Sequence, residues 1–320
     1  MKILVTGCAG FIGSSLCEKL IAHNHHVIGI DNFDPFYSRS IKEENLSFLK
    51  TQHSFKFYEL DISDKEALSQ VDEEFKVVIH LAAKAGVRPS IADPSGYITA
   101  NVQGTHNILD YMLSKGVKKM VFASSSSVYG DNAISPYKED SFTDFPISPY
   151  AFTKKSCELL LYAYFNLYQV SSIALRFFTV FGPRQRPDLA IHKFFSAISE
   201  GSPIVIYGDG TTSRDYTYID DTISGIEKAL DYLVTCEKMY EIINLGNNAP
   251  TQLKDLVSRI EEVSGQKAVI KREGMQKGDV QHTCADITKA QKYLGYDPQT
   301  KLLDGLKKFY NWKREMVISK

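Results

Sequence analysis

A tyrosine and a lysine lie four residues apart in the segment YAFTK, Tyr150–Lys154. This spacing places both side chains on one face if the segment is helical. A phenol with an ordinary pKa near ~10 is a poor base at neutral pH, but a nearby ammonium or another positive charge favours the phenolate. The pair therefore predicts catalysis in which Tyr150 acts as general base and Lys154 assists it.

A glycine-rich segment follows the first apolar run of the chain, with glycines at Gly7, Gly10 and Gly13. Glycines there let the backbone turn sharply and approach a pyrophosphate, and the N-terminus of the following helix supplies N–H donors and a partial positive charge. Asp31 ends the next apolar run, where a carboxylate accepts hydrogen bonds from a ribose 2′-hydroxyl and repels a 2′-phosphate. The sequence therefore predicts a dinucleotide site that takes NAD rather than NADP.

The elements that position these residues are predicted by the alternation of short apolar runs with longer amphipathic stretches. Buried strands are predicted at Lys2–Thr6, His26–Ile30, Phe55–Leu60, Val77–Ala82, Lys119–Ser124 and Ser172–Phe177. Helices are predicted at Phe11–His23, Ala100–Lys115 and Tyr150–Tyr168. Because the strands are apolar throughout rather than at alternate positions, they indicate a parallel sheet covered on both faces, which is a doubly wound α/β fold.

Past Phe177 the alternation weakens and turn-forming residues become frequent. Two further helices are predicted at Gln252–Ser264 and Leu302–Arg314. We therefore expect a dinucleotide-binding domain of residues 1–176 plus about 216–248. A smaller C-terminal α/β substrate-binding domain of about 177–215 and 249–320 would cap the sheet.

The composition limits the classes of protein to which the chain can belong. Its 320 residues are 43% hydrophobic and 23% charged, with a formal net charge of −1. The balanced charge predicts no nucleic-acid partner and no membrane partner, so an anionic ligand must be held by local Arg, Lys or helix N-termini. No signal peptide and no membrane span is predicted, which favours a cytoplasmic enzyme. The cysteines lack CxxC spacing and His23, His25 and His26 have no ligand cluster nearby, so no metal is expected.

Five motifs occur in one order: TGCAGFIG at the N-terminus, HLAA at His80–Ala83, SSSSVYG at Ser124–Gly130, YAFTK, and RDYTYIDD at Arg214–Asp221. Over essentially its whole length the chain resembles the extended short-chain dehydrogenase/reductase family of nucleotide-sugar enzymes. The resemblance implies a Rossmann-type fold and NAD as cofactor. The positions that it implies for NAD binding are Gly7, Gly10, Phe11, Ile12, Gly13, Asp31, Asn32, Asp61, Ile62, Leu81, Ala82, Ala83, Lys84, Asn101, Tyr150 and Lys154.

The family resemblance also implies a hydroxyl that polarises the reacting oxygen, three residues before the Val-Tyr-Gly of the serine motif, which is Ser125. Ser126 and Ser127 could share or take this role, because the sequence does not separate adjacent serines. Dehydratases of the family carry Asp-Glu directly after the catalytic threonine, and decarboxylases carry Glu just before Val-Tyr-Gly. The corresponding positions are Ser126 and Ser127, so the resemblance favours epimerisation: oxidation at C4, rotation of the 4-keto sugar, and reduction from the opposite face.

Three segments are similar to UDP-glucuronate 4-epimerases: AGVR at Ala85–Arg88, RFFTVFGP with RPDLA within Arg176–Ala190, and MQKGDV at Met275–Val280. The similarity implies UDP-glucuronate as substrate and charge-assisted hydrogen bonds to its carboxylate. The implied substrate-binding residues are Thr179 and Arg186 for the carboxylate with Ser127 and Arg88 nearby, Arg214 and Lys193 for the diphosphate, and Asp279 for the uridine ribose. Arg184 is the alternative to Arg186.

One departure from that similarity leaves the sugar open. Lys84 stands where many glucuronate epimerases have glutamine, so epimerases of UDP-galactose, UDP-N-acetylhexosamines or a pentose remain alternatives. A dehydratase, a decarboxylase and a non-catalytic dinucleotide-binding regulator are the further alternatives, and the retained Tyr150 and Lys154 argue against the regulator. Relatives pair through two long helices, so the resemblance implies a homodimer formed by Ala100–Lys115 and Tyr150–Tyr168.

Overall fold

The structure, a computed structural model, describes residues 1–131, 133–274 and 280–318 of the chain. Its strands are β1 Lys2–Thr6, β2 His26–Asp31, β3 Phe55–Glu59, β4 Val77–His80, β5 Lys119–Ser125, β6 Ser171–Phe177, β7 Thr179–Phe181, β8 Ile204–Tyr207, β9 Ser213–Tyr218, β10 Tyr240–Leu245, β11 Pro250–Gln252 and β12 Ile270–Glu273. Its α-helices are α1 Phe11–Ala22, α2 Arg39–Ser47, α3 Val87–Ala92, α4 Pro94–Tyr97, α5 Gly104–Ser114, α6 Pro149–Tyr168, α7 Ala190–Glu200, α8 Ile219–Thr235, α9 Leu253–Ser264, α10 Thr288–Leu294 and α11 Leu302–Ile318.

Seven strands form one parallel sheet in the order β10-β6-β5-β4-β1-β2-β3. The strand order reverses between β1 and β4, where Thr6 pairs in register with His80. Doubly wound sheets bind their ligands in the crevice outside the carboxyl ends of the strands at such a reversal. The predicted doubly wound parallel sheet is confirmed.

Two hydrophobic cores lie on the two faces of this sheet and are supplied by alternate residues of each strand. On β1, Ile3 and Val5 belong to the core beneath α1 and α8, whereas Leu4 belongs to the core beneath α5 and α6. Both faces therefore need apolar side chains, which accounts for the continuous apolar runs of the sequence.

Helix α6 carries the Tyr–Lys pair and has a well-defined start. The Ser148 side chain accepts a hydrogen bond from the Ala151 N–H at 3.1 Å, and Pro149 lies in the first turn; both features stabilise helix N-termini. The helix ends before Gln169, which takes the left-handed conformation with φ 59°. Tyr150 consequently lies in the first turn of α6, and Lys154 lies one turn further along.

The helix predicted at Ala100–Lys115 is divided in the structure. Its first part belongs to a π-helical segment, Ile98–Gln103, and α5 covers only Gly104–Ser114. A Cβ on Gly104 would lie 2.8 Å from the Ile62 Cδ1 atom, so the join packs closely against the loop after β3. π-Helical turns are frequent at functional sites, and this one packs against α6. None of the helices described has the length and hydropathy of a membrane span.

The second half of the chain returns to the large sheet through elements that the sequence analysis did not name. Helix α8 packs against α1, β5 and β6, and β10 pairs with β6 as the seventh strand. Strands β7, β9 and β11 form a separate three-stranded sheet, and β8 pairs with β12. The proposed domain boundaries, 1–176 with about 216–248 and about 177–215 with 249–320, stay a prediction.

Candidate active site

The carboxyl ends of the parallel strands surround a cavity of about 370 Å³, here called the first cavity. Of the positions predicted for NAD, those that line it are Gly7, Gly10, Phe11, Ile12, Gly13, Asp31, Asn32, Asp61, Ile62, Leu81, Ala82, Ala83, Lys84, Tyr150 and Lys154. Ser125, Thr179 and Arg186 line the same cavity. The structure therefore brings the predicted cofactor positions and the predicted chemical groups together.

The glycine-rich turn packs against backbone at two points. A Cβ on Gly13 would lie 2.0 Å from the Gly7 carbonyl oxygen, so only glycine allows this contact between helix and turn. Gly7 has φ +74°, and its own Cβ would lie 2.8 Å from the Ala82 nitrogen. Helix α1 begins at Phe11 with its N-terminus on the first cavity, an arrangement that suits a pyrophosphate.

The loops after β2 and β3 form one end of the first cavity. Asp31 accepts hydrogen bonds from the Ala9 N–H at 3.1 Å and the Phe33 N–H at 2.9 Å, and burial raises the pKa of its carboxyl despite these bonds. Asn32 Nδ2 donates to Asp61 Oδ2 at 2.9 Å. Asp31 thus has a fixed orientation at the strand end, where a ribose would be recognised.

Asn101, a predicted cofactor contact, instead lies behind the wall of the first cavity. Its Oδ1 accepts from the Lys84 N–H at 2.8 Å, and its Nδ2 donates to the Lys84 carbonyl at 3.0 Å and to Thr153 Oγ1 at 2.9 Å. The Asn101 amide points away from the first cavity because the π-helical segment places this residue between the loop after β4 and helix α6. Asn101 is therefore a bridge that positions Lys84, whose ammonium lies 3.0 Å from Asp93 Oδ2.

Tyr150 is half-buried, and its ring packs edge-on against Tyr97 with the ring centres 6.2 Å apart. Burial raises the pKa of Tyr150, while a hydrogen bond with Ser125 and the charge of Arg186 lower it. The sequence analysis expected the Lys154 ammonium to favour the phenolate, but the positive charge that acts on Tyr150 here belongs to Arg186. The reason is that Lys154 Nζ donates to the Ala123 carbonyl at 2.7 Å; burial lowers the pKa of Lys154 to about 8.

The four adjacent serines have different partners in the structure. Ser124 and Ser125 both line the first cavity, but the Ser124 hydroxyl is already used, because its Oγ donates to Glu158 Oε1 at 2.6 Å. Ser126 begins the 3-10 turn after β5. Ser127 donates to Ser125 Oγ from its N–H at 3.2 Å and from its hydroxyl at 3.0 Å, so the hydrogen of Ser125 is directed to another acceptor. Ser125 is thus the serine placed to donate beside Tyr150.

A buried ion pair supports the serine loop from behind, and the sequence analysis missed it. The Arg176 guanidinium donates twice to the Glu158 carboxylate, with both distances 2.9 Å, and each side chain is 1% exposed. Glu158 lies one helical turn after Lys154 and also receives the Ser124 hydroxyl. The pair therefore joins α6, β6 and the serine loop, and the only sequence signal for it is a charged residue at a buried helix position.

The two candidate arginines for a carboxylate point in different directions. Arg184 Nη1 lies 2.8 Å from Glu18 Oε1 of helix α1, and its backbone is left-handed with φ 66°. Arg186 points into the first cavity together with Thr179. Its Nε and Nη2 donate to the two oxygens of Asp188 at 2.9 and 2.7 Å. Of the two, only Arg186 can face a ligand held beside Tyr150.

A second cavity of about 650 Å³ contains the other predicted substrate residues, Arg88, Lys193 and Arg214. Arg88 was expected near the carboxylate, but the structure places it here, because its guanidinium lies over the Tyr207 ring at 4.5 Å. The basic lining suits a diphosphate. Asp279 and most of the MQKGDV segment lie outside the described residues.

These two cavities define the chemistry that the site can perform. The first cavity offers a half-buried phenol for proton transfer, a fixed hydroxyl donor and a cation, beside a fold that suits a dinucleotide. The second cavity offers a basic surface for an anionic ligand. In the parts of the chain that the structure describes, no group of three or more His, Cys, Asp or Glu side chains could hold a metal ion.

Comparisons with known proteins agree with this geometry. The GDP-mannose 4,6 dehydratase family profile matches residues 4–309. A UDP-glucuronate 4-epimerase from Thermodesulfobacterium geofontis is 43% identical over 317 residues, which cover 98% of this chain and 96% of that protein.

Two solved structures are similar to the whole chain. UDP-glucuronic acid 4-epimerase from Bacillus cereus in complex with UDP-glucuronic acid and NAD has a TM-score of 0.91 and 38% identity, covering 99% of this chain and 100% of that one. A mutant of that enzyme with UDP-4-deoxy-4-fluoro-glucuronic acid and NAD has a TM-score of 0.92 at 38% identity, with coverage of 99% and 100%.

Proposed function

The chain belongs to the GDP-mannose 4,6 dehydratase family of short-chain dehydrogenase/reductase enzymes, and from this premise we propose that it is an NAD-dependent UDP-sugar 4-epimerase. The proposed substrate is UDP-glucuronate and the product is UDP-galacturonate. One observation carries the choice of sugar: Arg186 lies on the wall of the same cavity as Tyr150 and Ser125. A cation at that place matches the carboxylate of a uronic acid.

The cofactor is NAD, which the structurally similar epimerases bind. The chain fits it, because Gly13 lets helix α1 pack directly on the glycine turn and because the N-terminus of α1 lines the first cavity, where it suits a pyrophosphate. Asp31 would accept the ribose hydroxyls, and Lys154 would donate to the other ribose. When bound, NAD takes a hydride from C4 of the sugar and returns it to the opposite face.

Tyr150 takes the proton of the C4 hydroxyl and holds it on the phenol oxygen while the sugar is a ketone. The Ser125 hydroxyl donates to the same sugar oxygen and stabilises the charge that develops there. The charge of Arg186 lowers the pKa of Tyr150, so a larger fraction of the phenol is deprotonated and able to act as a base near neutral pH. After the sugar has turned over, Tyr150 returns the proton, so the reaction needs no second acid or base.

The second cavity holds the UDP part while the sugar turns. Lys193 and Arg214 contact the diphosphate. Arg88, whose guanidinium stacks on the Tyr207 ring, lies at the uridine end. Anchoring the nucleotide at a distance leaves the sugar free to present either face to Tyr150. Thr179 and Arg186 hold the carboxylate and control the C5–C6 bond, which protects a 4-keto uronic acid from loss of CO₂.

Elimination is not favoured by the serine loop. Ser126 and Ser127 stand where a dehydratase or decarboxylase of this family carries its carboxylate, and Ser127 already donates to Ser125. A second candidate, epimerisation of a neutral UDP-hexose such as UDP-galactose, is favoured by the Asp188 carboxylate. Because Asp188 already pairs with Arg186, a neutral hexose would not leave that cation without a partner.

The deciding experiment incubates the purified chain with UDP-glucuronate and NAD and resolves the products by anion-exchange chromatography and proton NMR. UDP-galactose is run in parallel, and a Tyr150→Phe variant is the control for contaminating activity. UDP-galacturonate that disappears in the variant supports the proposal. Turnover of UDP-galactose alone would keep the reaction type and overturn the sugar, and a pentose with CO₂ would overturn the role given to Thr179 and Arg186.

We also propose that the chain is a cytoplasmic homodimer that pairs through α5, the preceding π-helical segment and α6. Several large apolar side chains on this surface are exposed, among them Leu159 at 59%, Tyr162 at 52% and Ile98 at 44%. Large exposed apolar patches mark interaction surfaces. Multi-angle light scattering should give a dimer for the parent chain and a monomer for Leu159→Arg; a monomeric parent chain would contradict the proposal.

A further inference from the structure

Arg186 and Asp188 form the boundary between the two cavities. Arg186 lines the first cavity and Asp188 lines the second, whereas Phe36 and Leu189 line both. A UDP-sugar that reaches from the second cavity to Tyr150 has to cross this boundary. Arg186 and Asp188 therefore lie where the sugar end of such a substrate would pass.

The Arg186–Asp188 pair is bidentate. Arg186 Nε lies 2.9 Å from one Asp188 oxygen and Nη2 lies 2.7 Å from the other, the geometry that an arginine adopts with any carboxylate. The exposed fractions of the two side chains are 17% and 31%, so water screens the pair only in part. Nη2 also donates to the Ala85 carbonyl at 3.3 Å, and the guanidinium lies over the Phe36 ring at 5.0 Å. These contacts keep Arg186 in place independently of Asp188.

We propose that Asp188 is a resident competitor for Arg186, which the C6 carboxylate of the substrate displaces. The inference rests on the proposed function and adds a determinant of specificity to it. A uronic acid exchanges one carboxylate for another on the guanidinium, so its binding includes the cost of displacing Asp188. A neutral hexose has no group that can replace Asp188, so it gains no contact with the guanidinium and its binding does not depend on the exchange.

The exchange has a favourable energetic basis. Removing one partner from a partly buried ion pair is costly when the other charge is left without a partner. During the exchange, Arg186 always has a carboxylate. The displaced Asp188 stays on the wall of the second cavity, where its side chain is 31% exposed, so that water can solvate the carboxylate.

A different role for Asp188 makes the opposite prediction. If Asp188 only orients Arg186 so that other N–H groups can bind the substrate, its loss would weaken the binding of UDP-glucuronate. If Asp188 competes, its loss strengthens that binding. The sign of the change in affinity therefore separates the two roles.

The test measures dissociation constants by titration calorimetry for NAD-loaded protein with Tyr150→Phe, so that no ligand is converted. Asp188→Asn is compared with its parent for UDP, UDP-glucose and UDP-glucuronate. We expect the ratio of the UDP-glucose constant to the UDP-glucuronate constant to rise about tenfold, the contribution of one hydrogen bond to a charged group. Glu18→Gln is the matched control, because it removes the carboxylate 2.8 Å from Arg184 and should leave the ratio unchanged.

An unchanged or lower ratio for Asp188→Asn overturns the exchange. Equal tightening of all three ligands also overturns it, because this would reflect only the lost negative charge in the second cavity. If Asp188→Asn does not fold by circular dichroism, Asp188→Ser gives the same comparison with a smaller neutral side chain. A parent chain that neither converts nor prefers UDP-glucuronate would instead refute the proposed function, so the two failures can be told apart.

Discussion

Replacing Ser125 by alanine tests how the proton of Tyr150 is handled. Ser125 Oγ accepts hydrogen bonds from the Ser127 N–H at 3.2 Å and the Ser127 hydroxyl at 3.0 Å. Because both acceptor positions are used, the Ser125 hydrogen is directed to Tyr150 or to the sugar oxygen beside it. Alanine removes this donor and leaves the Tyr150 phenol without the Ser125 hydrogen bond.

The expected loss follows from the kind of donor. Removing one preorganised donor to a developing oxyanion costs about 10²–10³ in kcat. The Ser125 hydrogen bond lowers the pKa of Tyr150, so its loss raises that pKa further. Tyr150 acts as a base only when deprotonated, and the acid limb of the pH profile should therefore move to higher pH. Ser127→Ala removes the Ser127 hydroxyl that donates to Ser125 Oγ but keeps the backbone N–H that does the same. The loss of this one hydrogen bond, ~1 kcal/mol, should lower kcat about fivefold.

The assay follows formation of UDP-galacturonate from UDP-glucuronate between about pH 6 and pH 10, with kcat and kcat/KM reported separately. Ser126→Ala is the matched control, since it makes the same change in the same loop at a residue that does not line the first cavity. Its kcat should stay within about twofold of the parent value. Bound NAD is quantified in each variant, so that loss of cofactor is not taken for loss of the donor.

Two results would refute this reasoning. If Ser126→Ala lost as much activity as Ser125→Ala, the loop would act as a unit and the directed hydrogen bond would not matter. If Ser125→Ala lost activity without a shift of the acid limb, Ser125 would contact the sugar but would not influence Tyr150.

The remaining predictions concern the cofactor site and two buried polar groups. Gly13→Ala should weaken NAD binding about 10²-fold in a fluorescence titration, since its Cβ would lie 2.0 Å from the Gly7 oxygen. Glu158→Gln breaks the buried pair with Arg176 and should lower the free energy of unfolding in urea by about 3–5 kcal/mol. Burial lowers the pKa of His80 from 6.5 to about 3, so the unfolded chain binds a proton there that the folded chain does not. Between pH 6.5 and about pH 3, each unit of falling pH should therefore cost ~1.4 kcal/mol of stability that His80→Gln does not lose. An unchanged NAD affinity, an unchanged free energy of unfolding or an unchanged pH dependence of stability would contradict the prediction for Gly13, Glu158 or His80, respectively.

The sequence predicted the strands of the large sheet other than β10, the glycine turn and helix α6, because each of these depends on residues that are close together in the chain. The buried strands and the glycine turn follow from continuous apolar runs and from the need for close backbone contact, as at Gly13. Helix α6 was predicted within one residue from its amphipathic stretch, and in the structure Ser148 and Pro149 mark its start while the left-handed Gln169 follows its end. Strand β10 was missed because it is an edge strand whose first half, beginning at Tyr240, is only half-buried.

The direction of side chains could not be predicted in the same way. Arg184 and Arg186 lie in one loop, and their directions depend on Glu18 and Asp188, of which the first is remote in sequence. The roles of adjacent serines depend on whether Glu158 or another serine receives each hydroxyl. Such choices are made by tertiary partners, which spacing alone does not contain.

The position of Arg186 explains how one arginine can serve both substrate choice and proton transfer. Its charge lowers the pKa of Tyr150, so any change in its pairing changes the strength of the base. In the structure the guanidinium pairs with the carboxylate of Asp188, and in the proposed complex it pairs with the carboxylate of the sugar. Both carboxylates carry one negative charge and bind the same two guanidinium nitrogens, Nε and Nη2. Exchange of one for the other therefore leaves the electrostatic environment of Tyr150 nearly constant, whereas a substrate that removed Asp188 without replacing it would not.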